Sequence, residues 1–452
     1  MGLFNLLGIA RDGVAAQSAA LTTTGQNITN ASTPGYVRRR VILDATTTGG
    51  NVRFARADRT FDRFAYAHVV NQQGKLSAST ARGYALTEIE TTIAPPTGSV
   101  GDEAIRLVQS FNALAAFPND PSLRADAVAK TQNLASTISS TAKSLEATGE
   151  SLLGRARDTV SEINKGLTTI ADLNRQIATA VGVGGDAGGL RDQRDMAIRE
   201  LGERMGATAL EGADGRMTIF SGGTVLVEGN NASPISMDLD PNGAMRFYAT
   251  GATKNEITSR IDTGSLGGLR EARDVDLKAM TDKLDAYAYD IANTFNAVHS
   301  TGYGADAGTG RDLFTPPAAR KGAAAALTIS AAVDGNPNAI AASGSLDDLP
   351  GGNTVALKLG DLGTTASFGG STLADRFAEI ATDLGLRKSA SDAESALRTD
   401  TLTVAEQLAD SANSVSIDEE TVNLTQYQRA FEASSKVLRT ADELLRSLME
   451  SF

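Results

Sequence analysis

Apolar residues recur every seven positions at both ends of the chain. Near the start, Leu7, Val14, Leu21 and Ile28 form such a row, with Leu3 and Ala10 offset by four. Every seventh residue returns almost to the same helix face, so the spacing predicts one long amphipathic helix. Its expected end is the polar stretch Thr29 to Thr33. A Pro34–Gly35 turn follows, in which Pro sets the first central φ and Gly accepts a positive φ at the second.

The far end is more regular still. Ile417, Leu424, Phe431, Leu438, Leu445 and Phe452 form an unbroken seven-spaced row, with Tyr427, Ser434, Ala441 and Leu448 at companion positions. Ser416 and Glu419 have capping-box spacing, and Asp418 and Glu420 complement the dipole at a helix start. Glu432–Lys436 and Asp442–Arg446 are oriented to pair four residues apart. The pattern predicts a coiled-coil helix about 50 Å long.

Between these ends, residues 63–205 read as a helical bundle. Rows such as Ile138, Leu145 and Leu152, or Ile163, Ile170 and Ile177, alternate with Gly149, Gly154 and Gly166, which are expected to interrupt or weaken helix. The texture then changes. Met217–Ile219, Thr224–Val227 and Met245–Tyr248 are short strand patterns separated by Asp214–Gly215, Gly222–Gly223 and Asp240–Gly243 turn signals. Helix resumes with Leu277, Leu284, Ile291 and Val298. Val355 to Leu362 fits either a strand or a helix.

The resulting division is an N-terminal helix with an extended arm (1–62), a helical bundle (63–205), a β-rich insert (206–262) and a returning bundle helix (263–301). A Gly/Ala-rich variable region (302–395) and a C-terminal coiled-coil helix (396–452) complete it. The fold class is mainly α with a β insert: an elongated helical rod built from both termini, with a smaller β domain projecting from its side.

Charge sharpens the pairing of the two ends. Residues 1–63 carry eight Arg and four Asp, net +4, whereas residues 400–452 carry four basic and ten acidic groups, net −6. Opposite charges on matching apolar seams predict that the terminal segments pack together, within one chain or between neighbours. The whole chain of 452 residues has net charge −12 and a pI near 4.9, which argues against nucleic acid as a partner. No apolar run approaches the roughly 18–20 residues of a membrane span.

Catalytic raw material is scarce. With no cysteine and only His68 and His299, thiolate chemistry and a histidine-rich metal site are excluded. Gly182 to Ala187 fits a loose dinucleotide pattern, but it follows a helix where that pattern needs a strand, so it reads as a helix connector. Asp192, Arg194 and Asp195 resemble an acid/base set, yet near a helix start they are expected to pair locally. Asp306 and Asp312 lack the spacing of a calcium loop. Arg38, Arg39 and Arg40 are assigned to an inter-subunit salt bridge or a strand edge. No enzyme and no cofactor are expected.

The stretch Gln26-Asn27-Ile28-Thr29-Asn30-Ala31-Ser32-Thr33-Pro34-Gly35-Tyr36 resembles the start of the bacterial flagellar axial family of rod, hook and hook-associated proteins. Ser416–Glu420, Val422–Leu424, Tyr427–Gln428 and Thr440–Leu445 resemble that family's terminal motif. Leu190-Arg191-Asp192-Gln193-Arg194-Asp195 and Asp262–Leu269, with Phe295–Asn296 and Thr301–Tyr303 downstream, are similar to its hook-associated members. Residues 315–400 match poorly, and a large variable domain is expected to be reduced or missing.

The resemblance implies a structural adaptor joining hook to filament, outside the cell and without a cleavable signal peptide. Implied partners are further copies of itself in a ring, hook protein, a second junction protein, an export chaperone and the type III export apparatus. Nucleic acid and membrane insertion are not implied. The assembly interface would comprise Leu7, Val14, Leu21, Ile28, Ile417, Leu424, Tyr427, Phe431, Leu438 and Leu445. The family-motif positions are Asn27, Asn30, Thr33, Pro34, Gly35, Tyr36, Asp192, Gln193, Arg194 and Asp195. Competing readings are another axial component, such as hook or distal rod, and a coiled-coil binding or signalling module.

Overall fold

The structure, a computed structural model, describes residues 2–45, 52–183, 187–212, 215–221, 223–251 and 253–450. It opens with helix α1 (Leu3–Thr29), followed by an antiparallel hairpin of β1 (Arg39–Ala45) and β2 (Val52–Arg59). Four helices build the body: α2 (Arg63–Ile93), α3 (Val100–Ala116), α4 (Pro121–Gly182) and α5 (Gly188–Met205). Of the suspected dinucleotide pattern, Gly184, Gly185 and Asp186 lie outside the described residues, as do Asp214 and Gly222 of the expected turns and Phe452 of the terminal row.

Helix starts follow their capping chemistry. Asp62 accepts from the Phe64 and Ala65 amides to open α2, and Ser99 with Asp102 closes a full capping box on α3. Asp120 caps α4, whose Pro121 occupies a first-turn position where no amide is needed. The expected break in α4 does not occur. Its 62 residues run through Gly149, Gly154 and Gly166, for a length of about 93 Å. Neighbouring structure holds the helix where propensity is weak: Leu277 lies over Gly149, and Arg273 donates to the Gly149 carbonyl.

The β insert is two small antiparallel sheets. One takes β3 (Thr208–Glu211), β4 (Met217–Ser221), β5 (Thr224–Glu228) and β6 (Asn231–Ala232) in order. The other takes β7 (Ile235–Leu239), β8 (Met245–Thr250) and β9 (Lys254–Glu256). Inward positions Met217, Ile219, Leu226, Met245 and Phe247 join the same continuous core as α2 to α5.

The chain returns through α6 (Gly264–Glu271), six residues of π-helix (Ala272–Leu277) and α7 (Lys278–His299). Residues 302–353 hold little regular structure beyond α8 (Ala323–Ala326), but their backbone is satisfied by buried side chains of the bundle. Asn296 accepts from the Leu313 and Phe314 amides, Asp285 accepts from the Gly322 and Ala324 amides, and Arg124 donates to the Ile340 carbonyl. Val355 to Leu362, open between strand and helix, falls in α9 (Thr354–Asp361) and its C-cap.

Two long helices finish the chain: α10 (Leu373–Asn413) and α11 (Ile417–Glu450). Helix α10 crosses the boundary expected at 395, because it begins at Leu373, 22 residues earlier. It packs along α2, and Ala65, Val69, Leu402, Ala405 and Ala409 form a small core of their own there.

Candidate assembly site and the polar joint behind it

Helices α1 and α11 pair with each other. Asn27 meets Glu420 at 3.0 Å, and a Cβ placed on Gly13 would lie 3.0 Å from Ser434 Oγ. Stepping down α1 from Asn27 to Gly13 therefore steps up α11 from Glu420 to Ser434, which makes the pair antiparallel and in constant register. The residues that close it are small. Ala10, Ala16 and Ala20 of α1 and Ala441 of α11 are buried, so the backbones approach closely.

That approach leaves the larger residues of both seven-spaced rows only partly covered. Leu7, Val14, Leu21 and Ile28 are half-buried, as are Leu424, Tyr427, Phe431, Leu438 and Leu445, whereas Ile417 is exposed. Phe4 is 78% exposed and Met449 74% exposed at the free end of the pair, with Leu444 and Leu448 also open. One subunit thus shows a long apolar surface that it covers only in part.

Behind the helix pair lies a polar joint centred on Asn27. Its Nδ2 donates to the Arg39 carbonyl (2.8 Å) and to Glu420 Oε2 (3.0 Å). Its Oδ1 accepts from the Tyr36 hydroxyl (2.8 Å) and the Arg39 amide (3.1 Å). Two donors and two acceptors are the full capacity of a carboxamide, so no other side chain of this length serves all four partners. Burial pulls Arg38 down, but hydrogen bonds to Glu419 and Glu420 outweigh it and leave its pKa raised.

The Asn30–Tyr36 turn reaches this joint. Asn30 accepts from Thr33 Oγ1, and the Tyr36 amide donates back to the Thr33 carbonyl, with Pro34 exposed between them. Gly35 has φ +77°, and a Cβ there would lie 2.6 Å from Met196 Cγ, so both conformation and space select glycine.

Helix α5 presents the second motif. Arg59 of β2 bridges Asp192 (2.8 Å) and Asp195 (2.6 Å), Arg39 lies 3.6 Å from Asp192, and Tyr66 donates to the Asp195 carbonyl. Burial raises both aspartate pKa values, against the opposing pull of Arg59. Arg194 donates instead to Asn174 of α4 (3.1 Å), the Gly215 carbonyl (2.7 Å) and Glu211 (3.1 Å). Burial lowers its pKa, with Asp195 and Glu211 opposing. The charged triplet is therefore a tie among hairpin, bundle and β insert. Gln193 points out and joins none of it.

Several expectations change here. Asp192, Arg194 and Asp195 do not pair locally on α5 but with Arg59, Arg39 and Glu211 of other elements, which fold against its buried face. Arg38 makes its salt bridges inside the subunit, because the antiparallel pair brings Glu419 and Glu420 back to the hairpin, and Arg39 makes its own with Asp192 of α5. The strand-edge alternative describes Arg39 and Arg40, which lie in β1. The capping box at α11 is only half formed: Ser416 Oγ accepts the Glu419 amide, while the Glu419 carboxylate turns to Arg38. Asp442–Arg446 closes at 3.3 Å, but Glu432 and Lys436 do not pair. Asp306 is held by Arg311, and no cluster of metal-binding side chains occurs among the described residues. Arg59, Tyr66 and Asn174 carry the joint yet belong to no periodic row, and nothing in the sequence pattern singled them out.

Comparison with known proteins follows the same division of the chain. Residues 86–314 match the family described as "Flagellar hook-associated protein FlgK helical domain", and residues 408–451 match "Flagellar basal body rod FlgEFG protein C-terminal". Flagellar hook-associated protein 1 of Salmonella typhimurium is 30% identical over 328 residues, an alignment covering 69% of this chain and 59% of the relative's length. Flagellar hook-associated protein 1 of Bacillus subtilis is 28% identical over 496 residues, covering 97% of this chain and 96% of the relative. Among solved structures, the flagellar hook junction protein FlgK from Burkholderia pseudomallei matches with a TM-score of 0.65 at 16% identity. That match covers 76% of this chain and 99% of the other, and is a likeness of fold.

Proposed function

Because the chain belongs to the flagellar hook-associated protein FlgK family, we propose that it is a structural adaptor joining the flagellar hook to the filament. It reaches that place through the type III export route with a dedicated chaperone and without a cleavable signal peptide. There it polymerises with further copies of itself through α1 and α11, meeting hook protein on one side and a second junction protein on the other. Its work is mechanical, with no bond made or broken.

The observation that carries this reading is the half-covered seam. Small residues close the helix pair inside a subunit, and Leu7, Val14, Leu21, Phe431, Leu438 and Leu445 keep apolar surface open for neighbouring copies. Covering such a side chain contributes roughly 1.5–3 kcal/mol. A row repeated around a ring therefore supplies a large assembly energy from modest individual contacts.

Leu438→Asp tests it. The variant should fold, since Leu438 is only half-buried and distant from the bundle core, but a deletion strain supplied with it should assemble few or no filaments. Circular dichroism of the purified variant checks the fold. Normal filament number would remove the terminal seam from the account. The rod-type match at 408–451 leaves a second reading, a hook or distal rod component, but the helical match over 86–314 favours the hook-associated one.

A further inference from the structure

Helix α10 is apolar on two faces. Leu384, Leu402, Ala405 and Ala409 are buried inward. Leu386, Ala390, Ala393, Leu397, Val404 and Leu408 fall within about 60° of one another on a second side, roughly 120° around the helix at 3.6 residues per turn, and all six are exposed. The four larger ones are 60–66% open. This outer row is about 33 Å long, has helical seam spacing, and lies outside the terminal pair. Glu394 and Asp400 stand on either side of it. Residues 390–413 carry five acidic groups and one Arg, net −4. Asp392, Glu394 and Glu406 already share charge with Lys388, Arg398 and Arg199, whereas Asp400 is exposed with no such pair.

The hairpin has the complementary character. Residues 38–63 carry seven Arg against three Asp, net +4. Arg38, Arg39 and Arg59 are committed to the subunit's own carboxylates. Arg56 is exposed but pairs with Asp58 of its own strand, whereas Arg40 and Arg53 face solvent together with Val52. Within a subunit the hairpin leans on α1, which leaves the exposed Arg40 and Arg53 accessible to a neighbouring copy.

We propose that the hairpin of a second copy docks along the acid-flanked outer row of α10, its arginines on Glu394 and Asp400 and its apolar residues on Leu397 and Val404. This rests on the reading that copies of the chain assemble with one another. It adds a second, lateral contact, distinct from the terminal seam. Apolar rows fix affinity there, and the opposed charges fix register and exclude other alignments.

The absence of cysteine makes a direct test available. Two differently tagged copies are expressed in a deletion strain, one with Arg53→Cys and the other with Leu397→Cys, and sheared flagella are oxidised. A disulfide-linked dimer bearing both tags is expected, absent with either variant alone and absent when Lys165→Cys replaces Leu397→Cys. No mixed dimer in filament-bearing cells, or a link from Leu397→Cys to a different protein, overturns the proposal.

Charge reversal covers the case in which the cysteine variants fail to assemble. Arg40→Glu/Arg53→Glu and Glu394→Arg/Asp400→Arg should each cut filament-bearing cells about tenfold or more, and together restore them. Folded variants that give no restoration overturn the contact. Failure of the junction reading itself shows differently: deleting the gene would leave attached filaments before any variant is made.

Discussion

Asn27 illustrates how a single side chain is selected. All four of its hydrogen-bonding positions are filled, by α11, by the hairpin backbone and by Tyr36. Asn27→Ala should cost the terminal pair about 1–3 kcal/mol for each partner left without water or protein. Faster hydrogen exchange confined to α1 and the start of α11 would register it; unchanged protection there would mean the joint is not cooperative. Asn174 does the same for the β insert, meeting the Met217 amide and carbonyl, the Gly229 carbonyl and Arg194. Such clips carry no periodicity. Asn27 was visible through family resemblance, whereas Asn174 left no sign in the spacing of its neighbours.

His299 sets a pH dependence at the same scale. Its Nε2 accepts the Ala341 amide (3.0 Å), so Nδ1 carries the proton and donates to the Arg311 carbonyl (2.7 Å). Burial lowers its pKa, helped by the Arg311 charge and opposed by the Arg311 carbonyl and Asp312. A folded pKa below the unfolded value near 6.5 means that the unfolded state binds the proton first. Stability from this group is therefore full above about pH 6.5 and is lost as pH falls through the folded pKa. Urea unfolding at pH 7.5 and pH 5.5 should show the loss, and His299→Gln should reduce that difference. An equal pH dependence in both proteins would contradict it.

At the scale of elements, period is legible where a helix has one apolar face. Helices α1 and α11 were recognisable for that reason, and so were β4 and β8, whose burial alternates, with β5 marked by its apolar run; β3, β6, β7 and β9 were not. Helix α10 was not, because apolar residues on two faces blur the single stripe that marks an amphipathic helix. Glycines in α4 misled in the opposite direction, since tertiary contacts override a propensity cost of about 1 kcal/mol each. The π-helical turn before α7 gave no sequence warning. It places Asp276, fully buried, against Arg82 of α2 (2.7 Å) and Arg387 of α10 (2.9 Å). Asp276→Ala leaves Arg82 without its carboxylate and Arg387 with Asp383 alone, and should cost about 2–3 kcal/mol. Denaturant unfolding would measure it, and a loss below about 1 kcal/mol would show that solvent reaches the site.

For the whole molecule, the two ends of the chain converge on one antiparallel pair, tied to the bundle through the hairpin and α5. Arg59 and Arg194 transmit that tie in opposite directions, one to the terminal unit and the other to the β insert. In the proposed junction role, that tie holds the assembling helices on the body. The most direct measurement is electron microscopy of cells lacking this gene. Complete hooks without filaments, with filament protein shed into the medium, are the predicted result, reversed by the intact gene. Filaments still attached would contradict the junction role, and absent hooks would assign the chain to the hook or rod instead.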